Sequence, residues 1–204
     1  MDYIGPISSA IMALVWIIYF QIFFIQYKRN NRPYLVIHHA QNENPDALCL
    51  LVNMSKETVH VQCVQVVAFT DDKEPRTLTV TDYRRIGPDD KNIHQVLRQG
   101  PLEPGGYLVL GSFRNIILGR RSEEDEDTDY LFEEITDIEL RAAFIHGPSG
   151  HPVGVRRRFI LEHEGGTRIF PRNIHSEQLT RRRDRHEVRY WLEGELRPQR
   201  GGST

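Results

Sequence analysis

The densest group of chemically capable side chains is basic: Arg181, Arg182, Arg185 and Arg189 recur at near-helical spacing close to the C-terminus. On one helix they would line a surface that attracts anionic lipid head groups, nucleic acid or an acidic partner. With Asp184 and Glu187 among them, the same residues also make an ordinary solvated face with local ion pairs. Opposite in sign is the run Glu123, Glu124, Asp125, Glu126, Asp127, followed by Asp129. Such a run repels itself and predicts a solvated loop between strands. Its spacing does not fit an EF-hand, which wants a Gly at its sixth position and a Glu at its twelfth. The acidic run is itself a candidate partner for the arginines, within a chain or between two chains.

Nucleophiles and metal ligands are scattered. The chain has 9 His. His38 and His39 are adjacent, so a strand would point them to opposite faces. His146 and His151 could meet across a hairpin, but a zinc site wants three or four ligands. The 2 Cys exclude a disulfide-dense scaffold. If the chain reverses around Met54-Ser55-Lys56-Glu57, Leu51 faces Val61 and Cys49 faces Cys63. Those thiols would stay reduced in the cytoplasm and could bridge outside it. No Gly-rich phosphate loop follows a strand, and no Gly-x-Ser-x-Gly, His-Glu-x-x-His or Cys-x-x-Cys occurs. The sequence therefore predicts no catalytic, cofactor or metal site. A net charge of -2 gives no gross bias toward nucleic acid.

The element with the clearest physical signature is N-terminal. From Ile4 to Ile25 there is no charged residue. A helix over that run reaches about 33 Å, close to the thickness of a bilayer's hydrocarbon core. It is apolar all round, as lipid requires, and Tyr3 and Tyr27 stand at its edges where aromatic rings favour the interface. A cleaved signal would begin with positive charge and end in small residues; Met1-Asp2-Tyr3 and Phe23-Phe24-Ile25 do neither. Lys28, Arg29 and Arg32 follow at once. The positive-inside rule then puts the N-terminus outside and the following domain in the cytoplasm. Gly5, Ser9 and Ala13 recur every four residues, with Gln21 on the same line, a face that would let a second helix approach.

Beyond Pro33 short β-favouring runs alternate with turn signals. Strands are expected near 34–40, 47–53, 58–69, 76–83, 93–98, 106–112, 114–119, 134–145 and 153–163. A change of apolar phase at Cys63-Val64 predicts a β-bulge. Around Gly147-Pro148-Ser149-Gly150 a hairpin would set Phe144 against Val153, Ala142 against Val155, Ile138 against Phe159 and Glu139 beside Arg158. It would also set Arg141 against Arg156, an unfavourable pair, and turn Arg157 inward toward a carboxylate or the sheet edge. A helix is expected over about 176–193, with Ser176 as a possible cap.

The pattern resembles an immunoglobulin-like sandwich in architecture, without the Cys…Trp…Cys spacing of true immunoglobulin domains. The expected organisation is a short extracytoplasmic N-terminus (1–3), a transmembrane helix (4–27), a basic juxtamembrane linker (28–33), an antiparallel β-sandwich (34–170), and a basic C-terminal helix with a disordered tail (171–204). The function expected of it is non-enzymatic: a single-pass, membrane-anchored assembly module presenting a cytoplasmic β-sandwich. Its partners would be the lipid bilayer and a protein, or a second copy meeting it through the membrane helix or the sandwich, and not nucleic acid. Two alternatives invert or replace that reading: an extracytoplasmic binding domain on an uncleaved anchor, and a membrane-bound hydrolase.

Overall fold

An uncharged run of this length leaves no polar stripe to solvate, and it folds as one long helix. In the computed structural model α1 spans Ile4–Asn30. The residues described are 4–39, 43–71, 73–80, 98–118, 132–147 and 150–196. The α1 helix is long and apolar enough to cross a membrane, and none of its apolar span is buried in protein. It runs past Tyr27, so Lys28 and Arg29 occupy its last turn. Cations there face the negative end of the helix dipole. The Ser9 hydroxyl donates to the Gly5 carbonyl at 3.0 Å, so it is already bonded within its own helix. The chain divides into two compact units at Arg32/Pro33.

The second unit is mainly antiparallel β. Its first strands are β1 (Leu35–His39), β2 (Leu48–Asn53), β3 (Val59–Thr70) and β4 (Lys73–Thr79). Then come β5 (Gly100–Leu102), β6 (Tyr107–Ser112), the helix α2 (Phe113–Leu118), β7 (Ile135–His146) and β8 (Pro152–Glu162). The unit ends with β9 (Arg168–Pro171), β10 (Glu177–Leu179) and α3 (Arg185–Leu196). A three-stranded sheet runs β1-β2-β6, and a seven-stranded sheet runs β10-β8-β7-β3-β4, with β5 on β3 and β9 on β8. Both sheets contribute to one apolar core, with Leu35, Ile37, Leu51 and Leu110 from the small sheet and Val64, Val66, Ile138 and Phe159 from the large one.

The expected β2–β3 hairpin does not form. β2 pairs with β1 and β6, whereas β3 pairs with β4, β5 and β7. The cause lies in the buried Asn53. Its amide donates to the carbonyls of Glu57 and Leu102, both at 2.9 Å, and its side-chain oxygen accepts from the Ser55 amide at 2.9 Å. This Asx-type turn carries the chain from one sheet to the other instead of folding it back. Cys49 therefore joins the main core, while Cys63 joins a second cluster with Ala143, Leu179, Val188 and Trp191. The bulge does exist, as a register shift between Val61 and Cys63. It turns Cys63 to the outer face and returns Val64 and Val66 to the core.

The β7–β8 hairpin forms in the expected register, including Ile138 opposite Phe159, Glu139 opposite Arg158 and Arg141 opposite Arg156. The arginine clash is relieved sideways. Arg141 and Arg158 both bond the buried Glu139, at 2.6 and 2.7 Å, while Arg156 bonds Glu177 at 2.7 Å and Glu187 at 2.8 Å. Burial alone would raise the Glu139 pKa, but the hydrogen bonds from Arg158 and Arg141 outweigh it and hold the carboxyl below its usual range. Arg157 does turn inward. It finds carbonyls in place of a carboxylate, bonding Ile37 O at 2.6 Å and Asn173 O and Ile174 O at 3.2 Å.

Two other elements differ from expectation. Residues 114–119 were expected as a strand, yet α2 is helical because Phe113, Ile116 and Ile117 are the buried positions, a helical spacing. Ser112 Oγ accepts from the Asn115 amide at 3.3 Å, an N-cap. The helix expected over 176–193 is split. Ser176 and Glu177–Leu179 extend along the sheets, and helix begins only at Arg185, behind Asp184. Asp184 Oδ2 accepts from the Arg181 amide at 3.1 Å, and its carbonyl accepts from Val188 N at 3.1 Å. Helix α3 rests on the outer face of the large sheet at Gly154. A Cβ there would stand 2.8 Å from Val188 Cγ2 and 2.9 Å from Trp191 Cζ3, so the helix could not approach as closely. The expected strand near 93–98 falls almost wholly outside the described residues, as do the acidic run and the tail after residue 196.

Two outcomes follow. Glu139→Gln leaves two guanidinium groups without their anion, and denaturant unfolding in detergent should show a loss of about 1–3 kcal/mol at neutral pH. A folded-state pKa below the ordinary Glu value of about 4.3 gives stability that is complete above that value and lost as pH falls through the folded one. The gap between the two proteins should therefore narrow as the pH is lowered below the ordinary Glu value, and a gap independent of pH would refute the assignment. Second, a maleimide should label neither Cys49 nor Cys63 until the protein is denatured, and mild oxidation should not join them. Rapid bridging in the native protein would restore the discarded β2–β3 register.

Candidate functional site

The outward faces of the two sheets are built from opposite materials. On the large sheet, the outward positions of β7 and β8 carry Asp137, Glu139, Arg141, Arg156 and Arg158, along with Ile145, Pro152 and Ile160 and the strip that α3 covers. Alternation of this kind is what water on one side and core on the other demands. On the small sheet the inward positions are equally regular: Leu35, Ile37, Cys49, Leu51, Leu108 and Leu110 are buried. The outward positions, however, are mostly apolar too, with His38 and Ser112 as polar exceptions. None of β1, β2 and β6 contains Asp, Glu, Lys or Arg.

The register assembles those outward residues into one face. Val36 lies opposite Val52, and His38 opposite Leu50. Leu50 in turn lies opposite Val109, and Val52 opposite Tyr107. Val36, Leu50, Val52 and Val109 are partly exposed. At the margins Tyr34 is 40% exposed, Leu48 47%, Met54 61% and Tyr107 62%. An apolar face on the outer side of a sheet is a candidate contact surface. The loop after β9 adjoins the β1 edge. Arg157 clamps the carbonyls of Asn173 and Ile174 against the β1 edge, and the Ile174 side chain is exposed.

The residues singled out in the sequence are distributed differently. Gly5, Ser9, Ala13 and Gln21 all lie exposed on α1. Lys28 and Arg29 close that helix, and Arg32 lies beyond it. The four arginines do not share one helix. Arg181 and Arg182 sit exposed in the turn before α3, and only Arg185 and Arg189 lie on it, one turn apart. Nε of Arg185 is buried with no hydrogen-bond partner. His38 is exposed, whereas His39 points inward, with its ring 5.2 Å from Phe113. Burial, helped by His38 and Arg157, lowers the His39 pKa, so it is neutral at physiological pH. The Cys49 thiol is pushed up by burial and is no nucleophile. Among the described residues no three His, Cys, Asp or Glu converge as metal ligands.

The uncharged face was missed in the sequence although a signal for it was present. Leu48–Val52 reads Leu-Cys-Leu-Leu-Val, a continuous apolar run where a one-sided strand should alternate. The run alone does not say that the neighbouring strands would also bring apolar residues to that side. The chain matches no family model, and neither a curated protein nor a solved structure proves similar to it.

Proposed function

We propose that this protein is a non-enzymatic, single-pass membrane-anchored interaction module, with the outward face of the small sheet as its docking surface. The observation that carries this reading is the absence of charge from all three strands of that sheet, beside a large sheet whose outward face is charged. Exposed apolar groups cost free energy in water, at roughly 25 cal/mol per Å², and contact with a partner recovers it. The face is small. Three strands about 4.8 Å apart and about five residues long cover roughly 250 Å², against about 800 Å² per partner in a standard stable interface. A contact of that size suits a partner already held at the same membrane, where tethering raises the effective concentration.

Lys28, Arg29 and Arg32 support a cytoplasmic location for the domain and an outside N-terminus. The Gly5, Ser9, Ala13 and Gln21 line supports association of α1 with another helix, including that of a second copy. The two antiparallel sheets around one core support an immunoglobulin-like sandwich.

Photo-cross-linking in native membranes tests the docking surface. A photoreactive residue at Leu50 or Val109 should give an adduct of discrete size, and the same group at Arg76 on β4 should give none. Val52→Lys puts a charge that must be desolvated into the contact, and should cut the adduct at Leu50 at least about tenfold while the unfolding transition is retained. Equal labelling from both sheets, or a protein that runs as a lone monomer after mild detergent extraction, would defeat the proposal.

A further inference from the structure

The exposed apolar groups of the small sheet are not spread evenly. Three of the largest gather at one end. Tyr34 precedes β1, Met54 follows β2 and Tyr107 opens β6. Met54 N donates to Tyr34 O at 2.9 Å and Asn53 N to Gly106 O at 2.9 Å. These bonds extend the ladder beyond the strand ends and set Met54 beside Tyr34; Tyr107, opposite Val52, lies in the next outward row. Alternation puts them on the outward side, because Leu35, Asn53 and Leu108 next to them are buried. The result is a rim of two tyrosines and a methionine, exposed and uncharged.

This rim is also the end at which the chain enters the domain. Only Pro33 separates Arg32 from Tyr34. At about 3.3–3.6 Å per extended residue, the Tyr34 backbone lies within about 7 Å of Arg32 and about 14 Å of the end of α1. The polar layer on each side of a bilayer is roughly 5–8 Å deep. If α1 crosses the bilayer with Tyr27 and Lys28 at its boundary, the tether keeps Tyr34 within about 18 Å of that boundary, so the head-group layer is within its reach. Tyrosine suits that layer in particular, with an apolar ring for the acyl boundary and a hydroxyl for water. Lys28, Arg29 and Arg32 add attraction to anionic head groups. The adjoining turns carry Lys56 and Glu103, both exposed, and Glu57, partly exposed.

We infer that Tyr34, Met54 and Tyr107 form a lipid-contact rim that seats the β domain on the bilayer. This rests on α1 being a membrane span. It leaves the remainder of the uncharged face, around Leu50 and Val109, standing clear of the lipid for a protein. The rim would act as a second attachment point. A single covalent tether lets a domain tumble, whereas a tether plus an interfacial contact fixes which face looks along the membrane.

The test uses the full chain reconstituted in vesicles of phosphatidylcholine with a minority of phosphatidylglycerol. Single labelling sites, Tyr107→Cys and separately Met54→Cys, carry a bimane fluorophore, with Tyr190→Cys on α3 as the reference, since Tyr190 is 70% exposed. Lipids bearing a shallow nitroxide report contact with the bilayer, and aqueous iodide reports contact with water. The rim labels should be quenched several-fold more by the nitroxide lipid, and several-fold less by iodide, than the label at 190. Two sites guard against one variant failing to fold. Rim labels as open to iodide as the reference, on protein that floats with the vesicles and resists alkaline extraction, would overturn the rim and leave the anchor standing. Rim labels shielded from iodide but untouched by the nitroxide lipid would overturn it in favour of contact with a second copy. Protein that does not float with the vesicles would remove the anchor and the rim together.

Discussion

The outer edge of β1 is satisfied by side chains, and the placement of everything on the small sheet depends on that. The N–H of Leu35 is bonded to Gln178 Oε1 at 3.2 Å, and its carbonyl to Gln178 Nε2 at 2.6 Å. Two residues on, the N–H of Ile37 is bonded to Ser176 Oγ at 3.0 Å, and its carbonyl accepts from Arg157 at 2.6 Å. A strand edge left bare inside a protein costs free energy for each unmade bond. Here Ser176 and Gln178, on alternate positions at the start of β10, imitate the rung spacing of a strand. No backbone ladder joins the two sheets along this seam, so these contacts, with the shared core, set how the small sheet faces the large one.

That arrangement explains why the two outer faces diverge. Helix α3 covers the apolar part of the large sheet's exterior, and the remainder is tied up in ion pairs around Glu139 and Arg156. Acidic and aromatic residues of the C-terminal segment serve the domain, while Arg181, Arg182 and Arg189 stay exposed. Glu187 bonds Arg156, Asp184 accepts from the Arg181 amide just ahead of the helix, and Arg141 lies over the Trp191 ring at 5.2 Å. Nothing comparable is done for the small sheet. Its exterior carries no Asp, Glu, Lys or Arg on its three strands, and no described element of the domain lies over it as α3 lies over the other.

What was legible in the sequence was whatever one local pattern decides. The α1 helix follows from an uncharged run long and apolar enough to cross a membrane. The β7–β8 register follows from the Gly147–Gly150 turn and strict period-two alternation, which leaves one alignment that buries Ile138, Ala142 and Phe144 together. Arg157 was legible as a misfit in that alignment, though not the three carbonyls that receive it. The bulge near Cys63 was legible from the change of apolar phase.

What only the tertiary structure decided was which element pairs with which. Local pattern says that Leu48–Asn53 and Val59–Thr70 are strands, and a short turn between them reads as a hairpin. Asn53 overrides it by bonding Glu57 and the distant Leu102, a partner 49 residues away in the chain, so the strands part into different sheets. Residues 176–179 had apolar and polar groups compatible with a helix, and the backbone of β1, 139 to 143 residues away, drew them into an extended seam instead. The uncharged face belongs to the same class. Each strand shows its own apolar residues, but a face exists only once β1, β2 and β6 lie side by side, because hydrogen bonds between distant segments choose neighbours that composition along the chain leaves open.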